Sequence, residues 1–189
     1  MNKKWLKSCS TILLILLAAT IMTSCVEDNM SFSSRFSDMI EYELDDISLT
    51  IYYMGFSFRT RIPITLDRLK GGATYKVVVT GQELAEHRDL LNQLANVELI
   101  PSRDRSFACA RMYYVFEHSE HGEIFSFLTY AMSYNMSDFD GVGAFDTVFI
   151  NGQEVRGNRI FFEAVLPFLP EHVVREIQTN IDTWLPASE

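Results

Sequence analysis

Cysteine is scarce, with three in 189 residues, and two of them, Cys9 and Cys25, lie within or directly after an apolar leader. The body of the chain therefore carries one thiol, Cys109, and no internal disulfide framework. Stability must come from a core, and the roughly 165 residues after the leader are enough to build one. Cys109 sits in the strand-like run Phe107–Phe116, where a thiol acts as a small buried hydrophobe. Positive charge is also short. Against 25 acidic residues stand 16 basic ones, and Lys3, Lys4 and Lys7 lie in the leader, so the remainder has a formal charge of −12. That argues against nucleic acid as a partner, because phosphate binding needs clustered Lys and Arg. It argues equally against a basic patch for anionic lipid. Gly-x-Ser-x-Gly, His-Glu-x-x-His and Cys–His signatures are all missing. Gly141-Val-Gly143 lacks the third glycine of a dinucleotide fingerprint. Gly71-Gly72 with Lys76 lacks the Gly-Lys-Ser/Thr ending of a phosphate loop. There is no internal repeat and no low-complexity block.

What is present is clearest at the N-terminus. Met1-Asn-Lys-Lys-Trp-Leu-Lys7 is positively charged, and Thr11–Met22 is apolar. That run is short of the roughly 20 residues a membrane span needs, and it has the length of a signal-peptide core. Met22-Thr23-Ser24-Cys25 follows. Here the chain resembles a bacterial lipoprotein precursor, with Met22 in place of the more usual Leu. The resemblance implies cleavage before Cys25, acyl chains such as palmitate on Cys25, and a location outside the cytoplasm on the cell membrane or outer membrane. Two or more acyl chains hold a protein firmly where one binds only marginally. Val26 is not an acidic retention-type residue, which favours an outer-membrane or surface location in a cell with two membranes.

Three parts are expected: a signal peptide over 1–24, a lipidated cysteine and tether over 25–38, and one globular domain over 39–189. The tether is polar and Ser-rich, and its 13 residues from 26 onward would reach at most about 45 Å. The domain reads as α+β, a mostly antiparallel sheet of about 6–8 strands with helices packed on it. Strands are expected over 47–54, 56–62, 74–79, 97–100, 107–116 and 122–136. Lys70-Gly71-Gly72 reads as a turn. Apolar residues of both parities around 124–128 predict a central strand covered on both faces. Asn151-Gly152 is the signal for a type I′ hairpin turn. Thr80-Gly-Gln-Glu83 has the form of a capping box at the start of a helix over 81–96. A short helix is expected over 161–166. Pro170 precedes a C-terminal amphipathic helix near 170–185, with Val174, Ile177, Ile181, Trp184 and Leu185 as its apolar stripe.

Candidate sites are few. His118 and His121 bracket a hairpin turn beside Glu117, Glu120 and Glu123. Imidazole and carboxylate suit zinc or copper. A spacing of three on a turn does not by itself bring both rings to one face, and no distant third ligand stands out, so a solvated turn is expected and no metal or cofactor is assigned. Asp138-Phe-Asp140-Gly141 resembles the opening of a calcium loop, but the twelfth position is Phe149 instead of Glu. Tyr52, Tyr53, Tyr113, Tyr114, Tyr130 and Tyr134 fall in strands, where exposed rings can form a platform for sugar or peptide. Ordinary cross-strand pairing is the simpler expectation. The chain thus reads as a membrane-anchored binding or interaction module for an envelope protein or glycan, with Tyr130, Tyr134, His118, His121, Asp138 and Asp140 as the weak ligand candidates. The alternatives are an envelope-acting hydrolase with unidentified carboxylates and an acidic inhibitor of a basic extracellular protein.

Overall fold

The computed structural model describes residues 36–41, 43–56, 63–102, 109–131 and 147–185. They form an α+β fold around one antiparallel sheet with strand order β2-β1-β3-β4-β5-β6. The strands are β1 Ile47–Tyr53, β2 Tyr75–Thr80, β3 Cys109–His118, β4 Gly122–Ala131, β5 Thr147–Ile150 and β6 Gln153–Arg156. The helices are α1 over 36–41, α2 Leu66–Gly72, α3 Gly81–Ala85, α4 Arg88–Ala95, α5 Ile160–Glu163 and α6 Glu171–Trp184. Short 3-10 turns cover Leu44–Asp46 and Leu166–Phe168.

The central position of β3 and β4 follows from their two-sided apolar content. Tyr114, Phe116, Phe125 and Phe127 point into the main core, where α1, α3, α4, α5 and α6 deliver Ile40, Leu84, Leu91, Phe161 and Ile177. On the opposite face Ala110, Tyr113 and Val115 meet Leu69 of α2. Arg111 lies at a register shift between Ala110 and Met112, and a second shift follows Phe116. These irregularities break strict alternation, so Cys109 and Ala110 both belong to the second cluster and Ile124 joins Phe125 in the main core. Cys109 is buried, as its apolar neighbours imply. Tyr114 donates its hydroxyl hydrogen to the Phe161 carbonyl at 2.7 Å, which satisfies the one polar atom of a fully buried ring. The Asn151-Gly152 turn has φ of 49° and 77°, and Asn151 Oδ1 also accepts the Ser126 amide at 2.7 Å. The turn residue thereby ties β5 back to β4.

Several expectations change in detail. The packed chain includes Phe36, which stacks on Phe125 at 5.0 Å and meets Phe116 edge-on, three residues before the expected start of the domain. Lys70-Gly71-Gly72 closes α2 instead of forming a free turn. Thr65 starts that helix by accepting the Arg68 amide, and Leu69 anchors it on the second face. Residues 97–100 are not a strand, although the segment runs along β6. There Arg156 donates to the Ile100 carbonyl and Ser102 to the Glu154 carbonyl, with Pro101 bridging Val155. Proline has no amide hydrogen for a ladder, so the contact stays short and screens the β6 edge. The expected helix over 81–96 is interrupted at Glu86-His87, where the His87 ring packs edge-on to Phe168 at 5.1 Å. Thr80 occupies the N-cap position but makes no side-chain cap bond, being still opposite Ser48 in the β1–β2 ladder. The helix expected over 161–166 is α5 followed by the Leu166–Phe168 turn. In α6, Ile177 and Ile181 are fully buried and Val173 joins them. Arg159 fastens the end of this helix, donating to the Leu185 carbonyl at 2.9 Å and pairing with Asp182 and Glu163. The Asp182 bond leads in raising its guanidinium pKa, with Glu163 adding to it.

The strand expected over 56–62 falls almost wholly outside the described residues. So do 132–136, the Asp138–Gly143 loop, and the leader and tether through residue 35.

Candidate functional site

His118 is the last residue of β3, opposite Ile47 on one side and Gly122 on the other. This ladder fixes its backbone and turns the ring inward, leaving the residue 6% exposed. Its Nδ1 accepts the Glu120 amide hydrogen at 3.1 Å. In the neutral ring the proton then belongs on Nε2, an assignment that follows from the network. Nε2 stands 3.0 Å from Glu43 Oε2, yet no hydrogen bond of proper direction joins them. The His121 ring stacks on His118 with centroids 4.7 Å apart and planes 24° from parallel.

Glu43 arrives from far along the chain. It follows α1, its amide donating to the Met39 carbonyl, and it precedes the Leu44–Asp46 turn. Ser119 donates to the Asp46 carbonyl at 2.9 Å, which clamps this turn to the β3–β4 hairpin. Donor atoms of Glu43, His118 and His121 therefore all lie within 4.8 Å of one another. The hairpin spacing thus does bring both imidazoles together, contrary to expectation, because His118 closes the strand and His121 folds back over it. The distant third group is Glu43, 75 residues before His118. No local pattern marks it, since only the sheet and the Ser119–Asp46 bond bring it near.

Among the described residues, Tyr52, Tyr113 and Tyr130 each have an aromatic neighbour across the sheet. Tyr52 and Tyr113 are cross-strand partners with rings 6.1 Å apart. Helix α2 and its Lys70 cover Tyr113, with Nζ 4.4 Å from the ring centre, and Lys76 lies over Tyr52. Burial first, and Glu123 next, push the Tyr113 hydroxyl up to about 12. Tyr130 is half-buried and edge-on to Phe149 at 5.5 Å, and burial raises its pKa as well. Tyr134, Asp138, Asp140 and Cys25 lie outside the described residues.

A second polar cluster went unmarked in the sequence. Arg111, 4% exposed at its register shift, approaches Tyr53, and Glu176 of α6 flanks the same hydroxyl. Burial and then Glu176 hold the Tyr53 phenol far above its ordinary pKa, with Arg111 opposing them. Glu176 also borders an open cleft of about 390 Å³ with Phe56, Thr179 and Asn180. Only the irregular register of β3 could have hinted that Arg111 turns inward. The cluster ties α6 to the sheet, and the Tyr53 hydroxyl stays protonated within it.

No family model matches the chain, and neither a curated protein nor a solved structure is significantly similar to it.

Proposed function

We propose that the chain is a bacterial lipoprotein, held to the membrane through acyl chains on Cys25, whose folded part is an extracytoplasmic binding or interaction module. The observation that carries this is the coincidence of a tri-lysine start, the apolar run Thr11–Met22 and Met22-Thr23-Ser24-Cys25. Two further features support it. Among the described residues no helix is long and apolar enough to cross a membrane. Phe36 is buried in the core, and the ten residues between it and Cys25 could reach at most about 35 Å when fully extended. That length sets the folded part close to the bilayer, where an envelope protein or glycan would be its partner. The excess of acid over base keeps it off anionic headgroups and nucleic acid.

Cys25→Ala tests the anchor. The variant should accumulate as an unlipidated precursor that retains residues 1–24 and takes up no labelled fatty acid. Recovery of the variant in the membrane fraction at the mature mass would contradict the proposal.

A further inference from the structure

We propose that Glu43, His118 and His121 form a site for a divalent transition-metal ion of the zinc class. Two imidazoles and a carboxylate are the donor set that zinc takes in open sites, where three protein ligands leave a position for water. Their convergence depends on long-range structure. Glu43 and the hairpin are brought together by the sheet and by the Ser119 bond to the Asp46 carbonyl, so the arrangement exists only in the folded chain. His118 is 6% exposed, and its Nε2 faces the Glu43 carboxylate at 3.0 Å without a directed hydrogen bond. A buried ring nitrogen is normally satisfied. Here the atom facing the carboxylate lacks a directed bond, while the other ring nitrogen is held by the Glu120 amide.

The surroundings permit entry and closure. Glu43 has a side chain 47% exposed, and His121 is exposed on the turn. Tetrahedral zinc ligands stand roughly 3.3 Å apart, given bonds of about 2.0–2.1 Å. The separations of up to 4.8 Å therefore close by movement of the two exposed side chains, with His118 as the fixed member. Coordination through Nε2 requires that nitrogen to lose its proton. The neutral ring then carries the proton on Nδ1, and the Glu120 amide, in the exposed turn, transfers its hydrogen bond to water. Magnesium and calcium prefer all-oxygen shells and are poorly held by this donor set.

The test uses the full-length protein in detergent, titrated calorimetrically with zinc chloride, beside Glu43→Gln and His121→Ala. Both replaced side chains are exposed, and thermal melting of the metal-free proteins checks that the fold persists. The expected result is one zinc per chain, an affinity weakened about tenfold or more in each variant, and no heat from magnesium. Nitrogen-15 spectra of the histidine rings should show His118 switching its protonated nitrogen from Nε2 to Nδ1 on zinc addition. Absence of saturable binding, or equal affinity in both variants and the parent, would overturn the site. An unchanged His118 tautomer at saturation would do the same. The outcome is independent of the lipid anchor, since an unlipidated chain would present the same three side chains.

Discussion

Gly81→Ala should lower the unfolding free energy by about 2–3 kcal/mol. Gly81 opens α3 and is buried. A Cβ there would collide with the Leu44 carbonyl oxygen and stand 2.5 Å from Asp45 Cα. Those atoms are backbone, so no side-chain rotation relieves the clash. The Leu44–Asp46 turn they belong to leads directly into β1 and accepts the Ser119 amide through Asp46. Moving it would disturb the sheet at its start. Alanine is the better helix former by roughly 1 kcal/mol, which offsets part of the overpacking and is outweighed by it. Thermal melting should show the loss as a midpoint roughly 4–12 °C lower, at about 2–4 °C per kcal/mol for a chain of this size. An unchanged midpoint would mean that the turn and the start of α3 do not touch.

Phe127→Ala should be costlier still, about 3–5 kcal/mol. Phe127 is fully buried on β4, paired in register with Tyr114 on one side and Ile150 on the other. Its ring stacks on Tyr114 at 4.7 Å and 15°, and it meets Phe162 edge-on at 5.2 Å. Truncation removes ring contacts between the central strands and α5 and leaves a cavity bordered by the rings of Tyr114, Phe161 and Phe162. Phe149→Ala is the matched control. It is half-buried on the opposite face against Tyr130, and about 1–2 kcal/mol of apolar burial is at stake there. Urea denaturation of the two variants should separate them clearly. Equal losses would contradict the assignment of the principal core to the Tyr114–Phe127 face.

How legible the fold was depended on how local each signal is. Strand β1 could be read from alternation, β2 from its β-branched content, β3 and β4 from their apolar runs, and the β5–β6 turn from Asn151-Gly152, because each is determined within a few residues. Helix α6 showed its stripe of Ile177 and Ile181 for the same reason. Helix α2 was hidden by Gly71-Gly72, two residues that usually mark turns, although Thr65 and Leu69 were there to start and anchor it. The break at His87 has no local breaker; it comes with the contact to Phe168, far along the chain. The capping-box pattern at Thr80 met a strand that had not yet ended, and tertiary pairing overrode it. The candidate site shows the same division. His118 and His121 were visible as a pair on a turn, while Glu43 could be joined to them only through the sheet order β1-β3-β4. Arg111 depends on a register shift, which alternation cannot foresee.

The anchor is the claim on which the placement of all these surfaces depends, and the intact mass of the protein from its native membrane tests it most directly. The expected mass is that of the chain from Cys25 onward plus two or three acyl chains, with the protein partitioning into the detergent phase. A water-soluble product without lipid, or a membrane form still carrying residues 1–24, would contradict it.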